Sequence, residues 1–178
     1  HIARRFSGGG AVYHDLGNVN LTFIETTPRL PEFVTYLQRT LDFLNSMGLM
    51  ATGGERLGIY LNGLKISGSA QCVHKNRVLY HCTLLYDTDL TALHKALNPE
   101  LMVDDETLSS VYAVPSVRSE VTNIRSYLPE GTVTDFKEKA FQYFSKSQSV
   151  SAFTGKEIEA VNQLREGKYI QKEWIYSR

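Results

Sequence analysis

Cysteine, tryptophan and proline are all scarce in this chain: two, one and five among 178 residues. Cys72 and Cys82 are too few for a disulfide scaffold, so a reduced, cytoplasmic setting is expected and the core must come from apolar packing. No apolar run approaches membrane-spanning length and no signal-peptide pattern stands at the start, so no membrane partner is expected. Neither sign of charge is in excess, Lys+Arg and Asp+Glu both numbering 19. A global electrostatic drive toward nucleic acid or an anionic surface is therefore missing. Internal repeats, low-complexity tracts and Pro/Gly/Ser-rich linkers are absent as well. What remains, 42% hydrophobic and 21% charged residues, is an ordinary globular composition. The length suffices for one domain, residues 1–178, with a sizeable core.

Strands are expected first and helices later. Ile2–Phe6 has the pattern of a short strand, and Asn20–Glu25 that of another, with Leu21 and Phe23 on one face and Thr22 and Ile24 on the other. Pro28 and Pro31 mark a helix start, and Phe33, Leu37, Leu41 and Leu44 recur at helical spacing before Gly48. Asn62-Gly63 is a hairpin signal between Arg56–Leu61 and Leu64–Cys72. His74-Lys75-Asn76-Arg77 then turns the chain into Val78–Tyr86, completing a three-stranded antiparallel meander. A short helix over Leu90–Leu97 ends before Pro99, and Pro115–Asn123 is expected to be irregular. A helix over Thr134–Ser145 should bury Phe136, Ala140, Phe141 and Phe144. Another opens on the Thr154…Glu157 capping box, should bury Ile158, Val161 and Leu164, and should stop at Gly167. Tyr169–Tyr176 has the pattern of a last strand. The order argues for an α+β domain, a mixed or antiparallel sheet packed with amphipathic helices.

Three stretches could carry chemistry. RRFSGGGAVYHD, Arg4 to Asp15, places three glycines behind two arginines. Glycines are costly to order, and such a run persists where the backbone needs special dihedrals or close approach to a ligand. It matches neither the Walker nor the Rossmann pattern, but successive free amides can form an anion nest beside a guanidinium. Alternation would send one of Arg4 and Arg5 to the loop and the other away. His14 and Asp15 point apart in an extended chain, so one should line a pocket while the other fixes the loop.

In GLKISGSAQ, Lys65 shares a face with Ser67 and Ser69 under strict alternation, and Gly68 and Ala70 leave room for close approach. A lysine among small residues can set one charge against an acyl carbonyl or phosphate. In YHCTLL, alternation puts His81 and Cys82 on opposite faces, which argues against a shared zinc ion. The turn pairs Cys72 with Leu79 and not with Cys82, which argues against a disulfide.

RRFSGGGAVYHDLGN, KISGSA, HCTLL and SVRSEVTN, in this order along nearly the whole chain, closely resemble the lipoate–protein ligase family. The resemblance implies a biotin/lipoate ligase-like catalytic fold. It also implies an ATP-dependent ligase that activates lipoate to lipoyl-AMP, with Mg²⁺, and transfers the lipoyl group to a lysine of a lipoyl domain. Acceptors would be the E2 subunits of 2-oxoacid dehydrogenases and the glycine cleavage H protein. The implied adenylate-binding residues are Arg5, Gly10, Ala11, Val12, Tyr13 and Lys65. Ser7, Val12, His14, Lys65 and Thr83 would lie along the lipoyl arm, with Lys65 the catalytic residue, and no metal-ligating residue is implied.

Other features resemble one branch more than another. Cys82 within YHCTLL and the ending EWIY resemble the mitochondrial lipoyltransferases. Arg56-Leu57-Gly58 stands where the family commonly has an acidic third residue, which would weaken adenylation. A transferase that uses preformed lipoyl-AMP, or a paralogue that only binds lipoyl-adenylate or lipoyl domains, are the alternatives. A related octanoyltransferase would need Cys72 or Cys82 as thioester nucleophile. Against the family pattern, further N-terminal strands and a small C-terminal accessory domain are expected outside this sequence.

Overall fold

A computed structural model of the chain describes residues 1–27, 29, 32–54, 56–98, 114, 117–146 and 149–176. Its centre is a five-stranded antiparallel sheet in the order β1-β5-β4-β3-β2. The strands are β1 (Asn18–Thr26), β2 (Thr52–Gly53), β3 (Ile59–Leu61), β4 (Leu64–His74) and β5 (Arg77–Leu85). Three of them form the expected meander. Asn62 and Gly63, both at positive φ, turn β3 into β4, because a two-residue hairpin loop of that sign matches the twist of its strands. The His74↔Arg77 and Cys72↔Leu79 pairs follow the expected register, and β1 lies antiparallel along the outer side of β5.

The helices are α1 (Val34–Ser46), α2 (Leu90–Leu97), α3 (Val133–Ser145), α4 (Gly155–Leu164) and α5 (Lys172–Ile175). Helices α1 and α3 supply the apolar cover for one face of the sheet. Leu37, Leu41 and Leu44 of α1 meet Val19, Ile59, Leu61, Ile66 and Leu84 from the strands, with Phe136 and Ala140 of α3 alongside. Burying Leu44 completely contributes about 2 kcal/mol relative to leaving it in water. Tyr36 stacks on Tyr80 at 5.3 Å and Phe43 packs against Phe136 at 5.5 Å, so aromatic rings carry much of this layer. On β1, Leu21 and Phe23 pack toward the core while Thr22 and Ile24 are exposed, as the alternation requires.

Several expectations are corrected. Ile2–Phe6 is not a strand; among the described residues no backbone–backbone hydrogen bond reaches residues 1–10. The third strand of the sequence is only Ile59–Leu61, because a turn closed by Gly54 N–H donating to Gly58 O, with Leu57 at positive φ, occupies the residues before it. Phe141 of α3 is 52% exposed, lying off the stripe set by Phe136 and Ala140. Helix α4 has its Thr154–Glu157 capping box, yet Ile158, Val161 and Leu164 are all exposed. Among the described residues its main neighbour is the turn that follows it. The helix does not stop at Gly167 but winds on as a π-helical turn, Arg165–Tyr169. Tyr169–Tyr176 is not a strand: α5 satisfies its own backbone, Ile175 N–H donating to Gln171 O and Tyr176 N–H to Lys172 O. Pro28, Pro31, Pro99 and Pro115 lie outside the described residues.

No helix among the described residues is long and apolar enough to cross a membrane.

Candidate functional site

The face of the sheet turned away from α1 and α3 carries the chemistry-bearing side chains, and a bulge decides which they are. Ile59 pairs with Ser67 but Tyr60 pairs with Lys65, so Ile66 is an extra residue in β4. Ile66 and Ser67, successive in sequence, are consequently both buried in the core. The face of Lys65 is thereby switched. Strict alternation would group Lys65 with Ser67 and Ser69; instead Lys65 shares the outer face with Gly68 and Ala70, and Ser69 Oγ donates inward to Leu57 O at 3.2 Å. Across the ladder Gly68 faces Thr83 and Ala70 faces His81. Cys82, between them, points into the core and is 1% exposed.

Arg4 to Gly17 lie across this face. The Arg5 guanidinium ties the loop to itself, Nε donating to Gly8 O at 3.0 Å and Nη2 to Gly8 O and Gly10 O at 2.7 and 2.8 Å. Gly9 sits at φ +99°, where any side chain is strained, and a Cβ there would meet Arg5 Nη2 at 2.7 Å and Ala70 Cβ at 3.6 Å. Ser7 is buried, its Oγ 2.5 Å from His81 Nε2. The arginines divide as expected even without a strand: Arg5 serves the loop, and Arg4 Nε donates to Ile175 O.

The loop's exit is fixed by Asp15. Its carboxylate accepts from Gly17 N–H at 2.9 Å and from Asp89 N–H, at the cap of α2, at 2.8 Å. Its own N–H donates to Asn18 Oδ1 at 2.7 Å. Asp15 therefore holds backbone, while His14 is exposed, its pKa lowered by partial desolvation first and then by Arg5. His81 is lowered for the same reasons, burial first, then Arg5 and His14. Both imidazoles are thus biased toward their neutral form beside a guanidinium.

Lys65 closes the other end. Its N–H donates to Glu120 O at 2.8 Å and its C=O accepts from Thr122 N–H at 3.1 Å, an isolated parallel bridge to SVRSEVTN. Burial, then Arg56, lowers its pKa. Between Lys65 and Ala70 run roughly 16 Å of strand at about 3.3 Å per residue. Midway along it Gly68 is exposed, with nothing within 4 Å of where its Cβ would stand. The result is a trough floored by Gly68, with the glycine loop at one end and the lysine at the other.

Some expected features are used differently. The Ala11 N–H donates to Val114 O at 2.9 Å, so in this structure it is part of a loop–loop contact and not of an open nest. Val12 is 51% exposed. Thr83 Oγ1 donates to Asn20 Oδ1 at 2.9 Å. His81 belongs to the site through Ser7, a partnership the sequence could not reveal because 74 residues separate the two. The Cys82 thiol is pushed up to about 11, chiefly by burial, and lies under the sheet, which argues against a thioester there. The cleft of about 490 Å³ along β1, lined by Leu21, Phe23, Arg39, Phe141 and Phe144 among others, contains neither the glycine loop nor Lys65.

A family model, the lipoyl protein ligase A/B catalytic domain, matches residues 1–145. A probable lipoate-protein ligase A of Mycoplasma pneumoniae is 38% identical over 151 residues, covering 83% of this chain and 43% of that protein. Lipoate-protein ligase LplJ of Bacillus subtilis is 31% identical over 185 aligned positions, 99% of this chain and 54% of that protein. The chain spans about half the length of the curated relatives it matches. Among solved structures, a lipoate-protein ligase A bound with ATP superposes with a TM-score of 0.77 at 26% identity, covering 98% of this chain and 71% of that one. The bi-partite lipoate protein ligase of Thermoplasma acidophilum, studied with its E2 lipoyl domain, gives 0.76 at 26% identity, covering 98% and 70%. The glycine loop, the bulged lysine strand and the His81 strand all fall inside the matched residues, and the chain belongs to the lipoyl protein ligase A/B catalytic domain family.

Proposed function

We propose that this chain is the catalytic part of a lipoate–protein ligase. A lipoate carboxylate oxygen attacks the α-phosphorus of ATP and pyrophosphate leaves, giving lipoyl-AMP. The neutral ε-amine of an acceptor lysine then attacks the acyl carbonyl, its proton passes to solvent, and AMP departs with the bond electrons. The observation that carries this reading is the trough: an open strip of sheet over Gly68, between a glycine loop and one half-buried lysine. It suits an extended acyl group joined to a nucleotide.

In this reading Arg5 and the Gly10, Ala11, Val12 and Tyr13 backbone hold the adenylate, the Ala11 N–H exchanging Val114 O for the ligand. Ser7, Val12, His14 and Thr83 lie along the lipoyl arm, and the two histidines, biased to neutrality, suit an uncharged acyl chain. Lys65 is the catalytic cation, set against the carbonyl and phosphate oxygens that gain charge as the acyl group moves. Mg²⁺ enters with ATP as its substrate salt; among the described residues no group of three His, Cys, Asp or Glu side chains is placed to hold a metal ion. The acceptors are the lipoyl domains of 2-oxoacid dehydrogenase E2 subunits and the glycine cleavage H protein. Two free thiols suit a reducing, cytoplasmic setting.

Gly58 favours a second reading. A Cβ at this position would lie 3.3 Å from Lys65 Cε, and among the described residues the charged side chain that acts on Lys65 is Arg56. A transferase acting on supplied lipoyl-AMP without adenylation fits that electrostatic setting, and a paralogue that only binds lipoyl-AMP would keep the trough without the chemistry. The full-length protein, given lipoate, Mg²⁺ and labelled ATP but no acceptor, is expected to release pyrophosphate and form lipoyl-AMP. No release, with transfer from supplied lipoyl-AMP intact, selects the transferase. Binding of lipoyl-AMP with neither reaction selects the paralogue.

A further inference from the structure

The glycine loop is anchored firmly at its exit, by Asp15 and Gly17, but its entry has no strand to hold it. The last turns of the chain lie against that entry. Trp174 Nε1 donates to Arg4 O at 3.0 Å, and Arg4 Nε donates back to Ile175 O at 3.1 Å. These reciprocal bonds join residues 170 or more apart in sequence. Lys168 completes the contact. Its Nζ lies 4.2 Å from the centroid of the Trp174 ring, 5.3 Å from that of Tyr169 and 5.7 Å from that of Phe6. Tyr169 and Trp174 meet edge to face at 5.4 Å, so the cation sits in a cage with one wall from the loop entry. Phe6 is also edge-on to His74, at the end of β4.

We propose that Lys168, Tyr169 and Trp174 form a clasp that fixes Arg4 and Phe6, and through them positions Arg5 and Ser7 for the acyl-adenylate. They are positioning residues, since none of them lies in the trough. The proposal rests on the assignment of the trough to lipoyl-AMP. Three successive glycines carry a large entropy cost when a ligand must order them, and a loop held at both ends has paid most of that cost beforehand. The clasp also gives the π-helical turn a role. The turn carries Lys168 and Tyr169 on consecutive residues and brings the first over the rings of Phe6 and Trp174.

The test uses full-length protein carrying Trp174→Ala, Trp174→Phe or Lys168→Met, with lipoyl-AMP and an acceptor lipoyl domain, and amide hydrogen exchange on the same samples. Trp174→Ala and Lys168→Met are expected to raise KM for lipoyl-AMP about tenfold while kcat stays within about threefold, the signature of lost preorganisation. Trp174→Phe, which keeps a ring beside Lys168 but loses the N–H to Arg4 O, should fall between them and wild type. Exchange of the amides of residues 5–13 should quicken in the same order, with β4 and β5 unchanged. Unchanged exchange at 5–13, a loss confined to kcat, or faster exchange across the whole sheet would each overturn the clasp. If wild type itself shows no transfer, the lipoyl-AMP assignment fails, and the exchange data alone still decide whether the segment holds the loop.

Discussion

Replacing Lys65 by alanine is expected to lower the rate of lipoyl transfer from lipoyl-AMP by about 10² to 10³-fold, the usual loss when one preorganised charge donor is removed from an acyl-transfer site. Lys65 is the half-buried cation that the bulge at Ile66 turns onto the outer face, the face that also carries the open floor at Gly68. Its backbone, not its side chain, makes the bonds to Glu120 and Thr122, so alanine leaves the sheet and the bridge intact. The unfolding free energy should therefore stay within about 0.5 kcal/mol of wild type, as for substitutions away from core and caps. Lys65→Arg should recover little, because a planar fork does not reproduce a compact ammonium between two acceptors. Intact-mass measurement of the acceptor domain, beside a thermal melt, gives both numbers. Transfer within about threefold of wild type would remove Lys65 from the mechanism.

Gly17→Ala should be the most disruptive single substitution in the site for stability. A Cβ on Gly17 would lie 2.0 Å from Asp87 O, 2.3 Å from the Asp87 carbonyl carbon and 2.7 Å from Thr88 N. All three are backbone atoms, and no rotamer change can relieve them. The same glycine accepts from Tyr86 N–H and Asp87 N–H and donates to Asp15 Oδ1, so moving it breaks the anchor of the loop's exit. A cost of about 3 kcal/mol follows from overpacking at a site that cannot relax. In a chain of this length that corresponds to roughly 8 °C in melting temperature. Gly8→Ala is the matched control: nothing lies within 4 Å of its Cβ position, and it should melt within about 2 °C of wild type. Equal melting of Gly17→Ala and wild type would contradict the tight junction between the loop and the β5–α2 connection.

Much of this was legible in the residues because local rules governed it. The Asn62-Gly63 turn, the stripe of Leu37, Leu41 and Leu44, and the alternation of Leu21 and Phe23 each depend on neighbours within one or two turns of chain. The capping box at Thr154 was legible for the same reason, whereas the burial of Ile158 was not, since burial depends on what the finished helix meets. The site followed the same division. The glycine loop and Lys65 announced themselves as motifs, but the face on which Lys65 emerges turned on one inserted residue, Ile66, and strict alternation gave Ser67 and Ser69 the wrong face. Contacts between distant residues were out of reach: Ser7 with His81, Lys65 with Val121, Arg4 with Trp174. The strand expected at Tyr169–Tyr176 failed because β-prone aromatics there serve the Lys168 cage and not a ladder.

The most direct measurement of the central claim is single-turnover transfer. The full-length protein is mixed with lipoyl-AMP and an E2 lipoyl domain, and the acceptor lysine is followed by mass. A lipoylated lysine formed at the expense of lipoyl-AMP, fast in wild type and slowed at least a hundredfold by Lys65→Ala, is the expected result. Lipoyl-AMP left intact in the presence of a folded wild-type protein and a competent acceptor would contradict the assignment of the trough to acyl transfer.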